Sequence, residues 1–290
     1  EVLIDVKTLN IDSASFTQIK NVCNADPEKM KELILSIVKE RGKMQNPITG
    51  SGGMLIGTVK EIGPMFPTIH NIKPGDKIAT LVSLSLTPLK IEKILNLSPD
   101  SDQVDVEAQA ILFESGLFAV LPDDIPEKLA LAALDVAGAP AQVDRLVTEG
   151  EIVCIIGGGG KSGILCCYQA MKKVGEYGKV IVGEYSPENA NRRSEMGLAT
   201  GGRGCDVTVN NVNVPSTEMT SILVTKGRGC VYFFSMATSF TKAALGAEGV
   251  GKDINLIVGN GFAKGHANLT LNIIRESKPI RELFEKLYVK

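Results

Sequence analysis

Five apolar residues, Ile152-Val153-Cys154-Ile155-Ile156, run straight into Gly157-Gly158-Gly159-Gly160-Lys161-Ser162-Gly163. An apolar helical pattern continues from Lys161 to Val174. A short run that is apolar at every position suits a parallel strand buried on both faces. Gly158, Gly160 and Gly163 satisfy the spacing G-x-G-x-x-G. In a strand–turn–helix setting the first glycine permits the tight turn. The second lets backbone approach a pyrophosphate, and the third lets helix and strand pack closely. The helix start, with Lys161 and Ser162, then offers free N–H groups and the positive dipole end to an anion. The expectation is a nicotinamide dinucleotide held by Gly158, Gly160, Lys161, Ser162 and Gly163. The alternative is a plain βα turn. A phosphate-loop NTPase, suggested by Gly160-Lys161-Ser162, needs a further glycine at position 155, which is Ile.

The pattern after this turn alternates between strand and helix. Strands are expected at Lys179–Gly183, Cys205–Asn210, Cys230–Phe234 and Ile254–Val258, with helices near Pro187–Met196 and Thr217–Leu223 and a closing pair over Asn268–Tyr288. Such alternation specifies a parallel sheet with crossover connections. A doubly wound dinucleotide fold also needs a third strand after the second helix. None fits between Met196 and Cys205, so a segment is expected to be absent near Thr200–Gly202. Glu184 ends the second strand, about 20 residues past the last glycine, where an acid accepts the adenosine ribose hydroxyls of NAD. Arg192 and Arg193 follow and are placed to pair with a 2′-phosphate. NAD is favoured and NADP stays open.

The half before the turn reads as mainly β, with apolar runs at Ile4–Leu9, Leu55–Ile62, Lys77–Ser83 and Leu117–Leu121. Gly63-Pro64 and Lys73-Pro74-Gly75-Asp76 punctuate them. Helices are expected at Asp26–Arg41, with Asp26 as N-cap and Pro27 at the first helical position, and at Pro126–Leu134. The chain opens on a strand-like run without a Met, so residues ahead of Glu1 are expected. With 31 basic and 33 acidic residues and no basic stripe, nucleic acid is an unsuitable partner. No apolar run approaches the length of a membrane span. The six cysteines lack metal or redox spacing, and reduced thiols in cytoplasm are expected.

Few residues outside the turn are candidates for chemistry. There are two histidines, His70 and His266, so a catalytic zinc held by His and Cys is not expected. His70 reads as a surface residue. His266, past the last strand, lies where parallel sheets bind ligands. Lys242, past the strand Cys230–Phe234, suits a substrate carboxylate, or else is a solvated helix lysine. Asp12 and Glu114 are acids amid apolar neighbours, suited to an ammonium or to base catalysis, or else are satisfied structural carboxylates.

Gly57-Thr58-Val59, Ile62-Gly63, Lys73-Pro74-Gly75-Asp76-Lys77-Ile78, Leu121-Pro122-Asp123-Asp124 and the glycine turn follow in the order of the medium-chain dehydrogenase/reductase superfamily, which the chain resembles over nearly its whole length. The resemblance implies an α/β protein: a GroES-like β domain over 1–134 and 267–290, and a Rossmann doubly wound parallel-sheet domain over 135–266, with the cofactor between them. Zinc members carry Gly-His-Glu just before the Gly-x-Val strand. This chain has Thr49-Gly50-Ser51-Gly52-Gly53 there, so no metal is expected. Within the superfamily, the stretches from Leu9 to Phe16, Gly42 to Pro47, Ala79 to Pro88, Ala132 to Gln142 and Tyr232 to Lys242 resemble the diaminohexanoate dehydrogenases of lysine fermentation. That resemblance implies NAD(P)-dependent oxidative deamination at C3 of a short diamino acid, with Lys242 for the carboxylate and Glu114 or Asp12 for the amines. A cytoplasmic homodimer is expected. Two other readings are a zinc-free NADPH quinone or enoyl reductase and a non-catalytic nucleotide-binding protein.

Overall fold

The computed structural model describes residues 1–67, 71–97, 99–100, 102–183, 200–235, 237–259 and 261–289. The chain forms two compact units, Glu1–Asp135 with Leu283–Lys290, and Val136–Glu282.

The first unit is built on β1 (Val2–Asn10), β2 (Met54–Ile62), β3 (Lys77–Thr80), β4 (Leu89–Leu97), β5 (Gln103–Leu112) and β6 (Phe118–Val120). They form one sheet in the order β4-β5-β1-β2-β3-β6, and every neighbouring pair is antiparallel. β1 is central because its residues are apolar enough to be covered: Val2, Ile4, Val6 and Leu9 are all buried. Two helices share this core, α1 (Ser13–Val22) and α2 (Pro27–Arg41). α2 begins as expected. Asp26 Oδ1 accepts the N–H groups of Glu28 and Lys29 at 3.0 and 3.3 Å, and Pro27 fills the first position. Gly42, left-handed at φ 66°, ends it. A short helix, α3 (Glu127–Leu134), is tied to the sheet through Glu127, which receives Lys7 at 2.6 Å and Lys77 at 2.5 Å.

The second unit holds β7 (Ile152–Ile156), β8 (Lys179–Gly183), β9 (Cys205–Asn210), β10 (Thr225–Phe233) and β11 (Asn255–Val258). All pair in parallel, in the order β11-β10-β9-β7-β8. The chain steps from β7 outward to β8, then returns to the other side of β7 as β9. Crossover direction therefore reverses between β7 and β9, and a crevice opens at the carboxyl ends of such a pair. Among the described residues β8 is an edge strand. The expected helix 187–196 falls outside the described residues. Helices α4 (Gly138–Leu146), α5 (Lys161–Val174), α6 (Glu218–Val224), α7 (Phe240–Gly249) and α8 (His266–Glu276) belong to this unit, while α9 (Lys278–Tyr288) starts in it and ends in the first. Residues 267–282, expected with the β domain, group with the parallel sheet instead. The hydroxyl of Thr270 on α8 donates to Ala137 O at the start of α4, and α4 also receives the loop before α8, where Gln142 donates to Phe262 O. Residues Leu283–Lys290, with the buried Phe284, belong to the first unit.

Candidate active site

The glycine turn falls at the carboxyl end of β7, beside β9. Gly157 is left-handed, φ 82°, a conformation that favours glycine. Its N–H donates to Gly183 O at 2.7 Å, locking the turn to the end of β8. A Cβ on Gly158 would strike Val182, and one on Gly163 would strike the Gly157 carbonyl. Both glycines are thus required by the protein's own packing. Gly160 is different: its φ of −79° is open to any residue, and among the described residues, its chain neighbours aside, no heavy atom lies within 4 Å of where its Cβ would stand. It caps α5, whose first turn has no side-chain cap. The helix start has no side-chain cap and room in front of Gly160, and such a start offers N–H groups and a positive dipole end to a pyrophosphate. Lys161 and Ser162 are buried in that first turn.

Asn211, which the sequence alone did not single out, stands at the same end of the sheet. Its N–H donates to Ile156 O at 2.9 Å, and its Oδ1 lies 3.9 Å from the Cys166 thiol. Its Nδ2 is buried and has no partner among the described residues. The orphaned donor beside Gly157 fits a polar ligand there. Further along the strand ends, Lys242 lies in the first turn of α7 and is exposed, with Nζ 2.9 Å from Ser216 Oγ. Its backbone N–H is capped by Ser239 Oγ at 3.3 Å, and Ser239 N–H in turn donates to the buried Glu218 at 2.7 Å. His266 opens α8 with its ring edge-on to Phe262; burial holds its pKa below the usual imidazole value. Lys264 is exposed. Glu184, Arg192, Arg193 and His70 lie outside the described residues.

In the first unit, Asp12 is the N-cap of α1. Its Oδ1 accepts Ser15 N–H at 3.0 Å, and its Oδ2 is buried with no partner among the described residues. Asn10, at the end of β1, is 1% exposed, and its Nδ2 is likewise buried and unpartnered among the described residues. Gly53 packs onto this segment so closely that a Cβ there would strike Asn10 O. Glu114 is elsewhere, in an exposed turn just past β5. The register pairs Asn10 with Gln103 and Val2 with Leu112, so Asp12 and Glu114 follow opposite ends of one ladder. Eight residue steps separate those ends, on the order of 25 Å. The structure does not bring the two acids together, and of the pair Asp12 alone presents a buried carboxylate oxygen.

The chain thus joins an antiparallel β unit to a doubly wound parallel sheet with the glycine turn at its switch point. Solved structures share the fold: a mycobacterial protein complexed with NADPH (TM-score 0.59, 15% identity, 95% of this chain and 80% of that one) and CurK enoyl reductase (TM-score 0.55, 14% identity, 98% and 77%). Residues 1–122 match the model of the L-erythro-3,5-diaminohexanoate dehydrogenase N-terminal domain. Two relatives named L-erythro-3,5-diaminohexanoate dehydrogenase, from Acetoanaerobium sticklandii and Fusobacterium nucleatum, are 54% and 55% identical, covering 100% of this chain and 90% of each relative. The chain belongs to the L-erythro-3,5-diaminohexanoate dehydrogenase family. It is an oxidoreductase.

Proposed function

We propose that the protein oxidises L-erythro-3,5-diaminohexanoate at C3, giving 5-amino-3-oxohexanoate, ammonium and a reduced nicotinamide dinucleotide. The observation that carries the substrate is the identity of 54–55% to the two named relatives, over all of this chain. The cofactor, held on Gly158, Gly160, Lys161, Ser162 and Gly163, supplies the acceptor for the hydride leaving C3. The protein's own groups do the rest. The start of α5, with its N–H groups and positive dipole end, carries the pyrophosphate, and Asn211 Nδ2 donates to the same ligand. A short diamino acid has little apolar surface, so charge must orient it. Asp12 Oδ2 accepts an ammonium of the substrate, and Lys242, steadied by Ser216, pairs with the carboxylate. As a carboxylate near the reacting nitrogen, Asp12 is also the base that takes a proton when the amine must become neutral.

Glu184 makes NAD the preferred cofactor by accepting ribose hydroxyls and repelling a 2′-phosphate. Glu184→Ala should narrow the preference over NADP; a native enzyme that already prefers NADP would assign the pocket to Arg192 or Arg193. The protein acts in lysine fermentation, in the cytoplasm, as a homodimer; a single species of one-chain mass by light scattering would overturn the dimer. The test of the activity is the appearance of reduced cofactor with L-erythro-3,5-diaminohexanoate, set against simple amino acids, quinones and enoyl thioesters. Turnover with quinones and none with the diamino acid would overturn the proposal.

A further inference from the structure

We infer that Asn10 is a further catalytic residue, whose side-chain amide donates a hydrogen bond to the oxygen that appears on C3 as the amine is replaced. The inference rests on the diamino-acid reading above, with Asp12 as the group that takes the ammonium.

Asn10 and Asp12 are two residues apart, Asn10 the last residue of β1 and Asp12 the N-cap of α1. Ile11, between them, is fully buried. Asn10 Nδ2 and Asp12 Oδ2 are both buried, and neither has a partner among the described residues. The protein thus places a donor and an acceptor two residues apart on one short segment and, among the described residues, satisfies neither. Buried polar groups left unmade oppose folding, so an arrangement of two in a row points to a ligand.

The two groups ask for different things. An ammonium on C3 has N–H donors only. Asp12 satisfies it, and Asn10 remains unmade. When hydride has left, the oxygen of water bonds to C3, both water protons end on the nitrogen, the C3–N bond breaks and ammonium departs. The carbonyl oxygen left on C3 is an acceptor. Asn10 therefore gains its hydrogen bond only once oxygen is on C3. A contact absent from the substrate complex and present later is the kind that lowers a barrier rather than tightening substrate binding.

Two probes separate the roles: 3-aminobutanoate, with nitrogen on C3, and 3-oxobutanoate, with oxygen there. Their binding to the full chain is measured by calorimetry for the native protein, Asn10→Ala, Asn10→Leu and Asp12→Asn, with melting curves to show that each variant is folded. Asn10→Leu keeps much of the shape and removes the donor without adding charge. Both Asn10 variants should bind 3-oxobutanoate about tenfold more weakly and 3-aminobutanoate as before. With the diamino acid, kcat should fall and KM hold. Equal weakening of both probes, or of neither, overturns the role of Asn10. If Asp12→Asn binds 3-aminobutanoate undiminished, the ammonium reading of Asp12 fails, a result read on the other probe and the other variant.

Discussion

Gly163 packs so tightly against Gly157 that any side chain on it would run into the Gly157 carbonyl, whereas three residues earlier Gly160 faces open space. The two glycines are kept for different reasons, and mutation should separate them. Gly163→Ala forces helix and strand apart and should cost about 1–3 kcal/mol of stability, read as a lower melting temperature. Gly160→Val meets none of the described residues and should leave the melting temperature close to native. Its cofactor affinity should drop at least about a hundredfold, or ~2.7 kcal/mol, because the side chain occupies the place of the pyrophosphate. Native-like cofactor binding by Gly160→Val would sink the assignment of the turn.

Asp12→Asn is a clean removal of charge. Asparagine caps a helix as well as aspartate, so the contact to Ser15 N–H survives and stability should hold. Losing a buried carboxylate from an ammonium should weaken the diamino acid by roughly 2–5 kcal/mol, seen as a large rise in KM. An unchanged KM would return Asp12 to the role of a cap alone.

Lys242→Met keeps much of the stem and removes the charge. Lys242 is exposed, so the loss should sit toward the lower end of the roughly 1.5–3 kcal/mol of a hydrogen bond to a charged group, with KM rising more than kcat falls. Without an effect on either constant, the carboxylate passes to Lys264 or to backbone N–H groups.

Asp206 sets part of the acid stability of the parallel sheet. Burial pushes its carboxyl up, but Lys226 Nζ at 2.5 Å, Ile152 N–H at 2.7 Å and Arg203 outweigh this and hold it below the usual carboxylate range. A folded-state pKa below the unfolded one gives stability that is complete above about pH 4 and is lost as pH falls through the folded value. Asp206→Asn should therefore be less stable than native at neutral pH, with the difference shrinking in acid. Parallel acid-unfolding curves for the two proteins would contradict this.

Local signals in the sequence were sufficient for some of these elements and silent on others. The strand, glycine turn and helix from Ile152 to Val174 announce themselves because each residue type answers a local need. The same holds for the Asp26–Pro27 start of α2. Strands β4 and β5 were missed: Lys90, Glu92, Lys93, Glu107 and Gln109 break up their apolar runs. α4 was missed because Gly138 and Pro140 stand in its first turn; Gly138 is there since Gly261 approaches too closely for a Cβ. Asp12 and Glu114 looked alike as acids among apolar neighbours. Only the β1–β5 register, a long-range pairing, puts them at opposite ends of a ladder. That Asn10 and Asn211 each keep a buried donor unmade is a property of folded surroundings and has no signature in composition or spacing.

The first unit is interrupted: it takes residues from both sides of the second, which is continuous in sequence from Val136 to Glu282. On a ribosome the two therefore finish in the reverse of the order in which they start. Most of the antiparallel sheet emerges first, yet Phe284, fully buried in the first unit, emerges only after the whole of the second. The parallel sheet has all its residues before then. The nascent chain thus passes through a stage at which the nucleotide-binding unit is complete and the unit bearing Asp12 still awaits its closing segment, and loss of that segment alone would spare the former and expose the core of the latter.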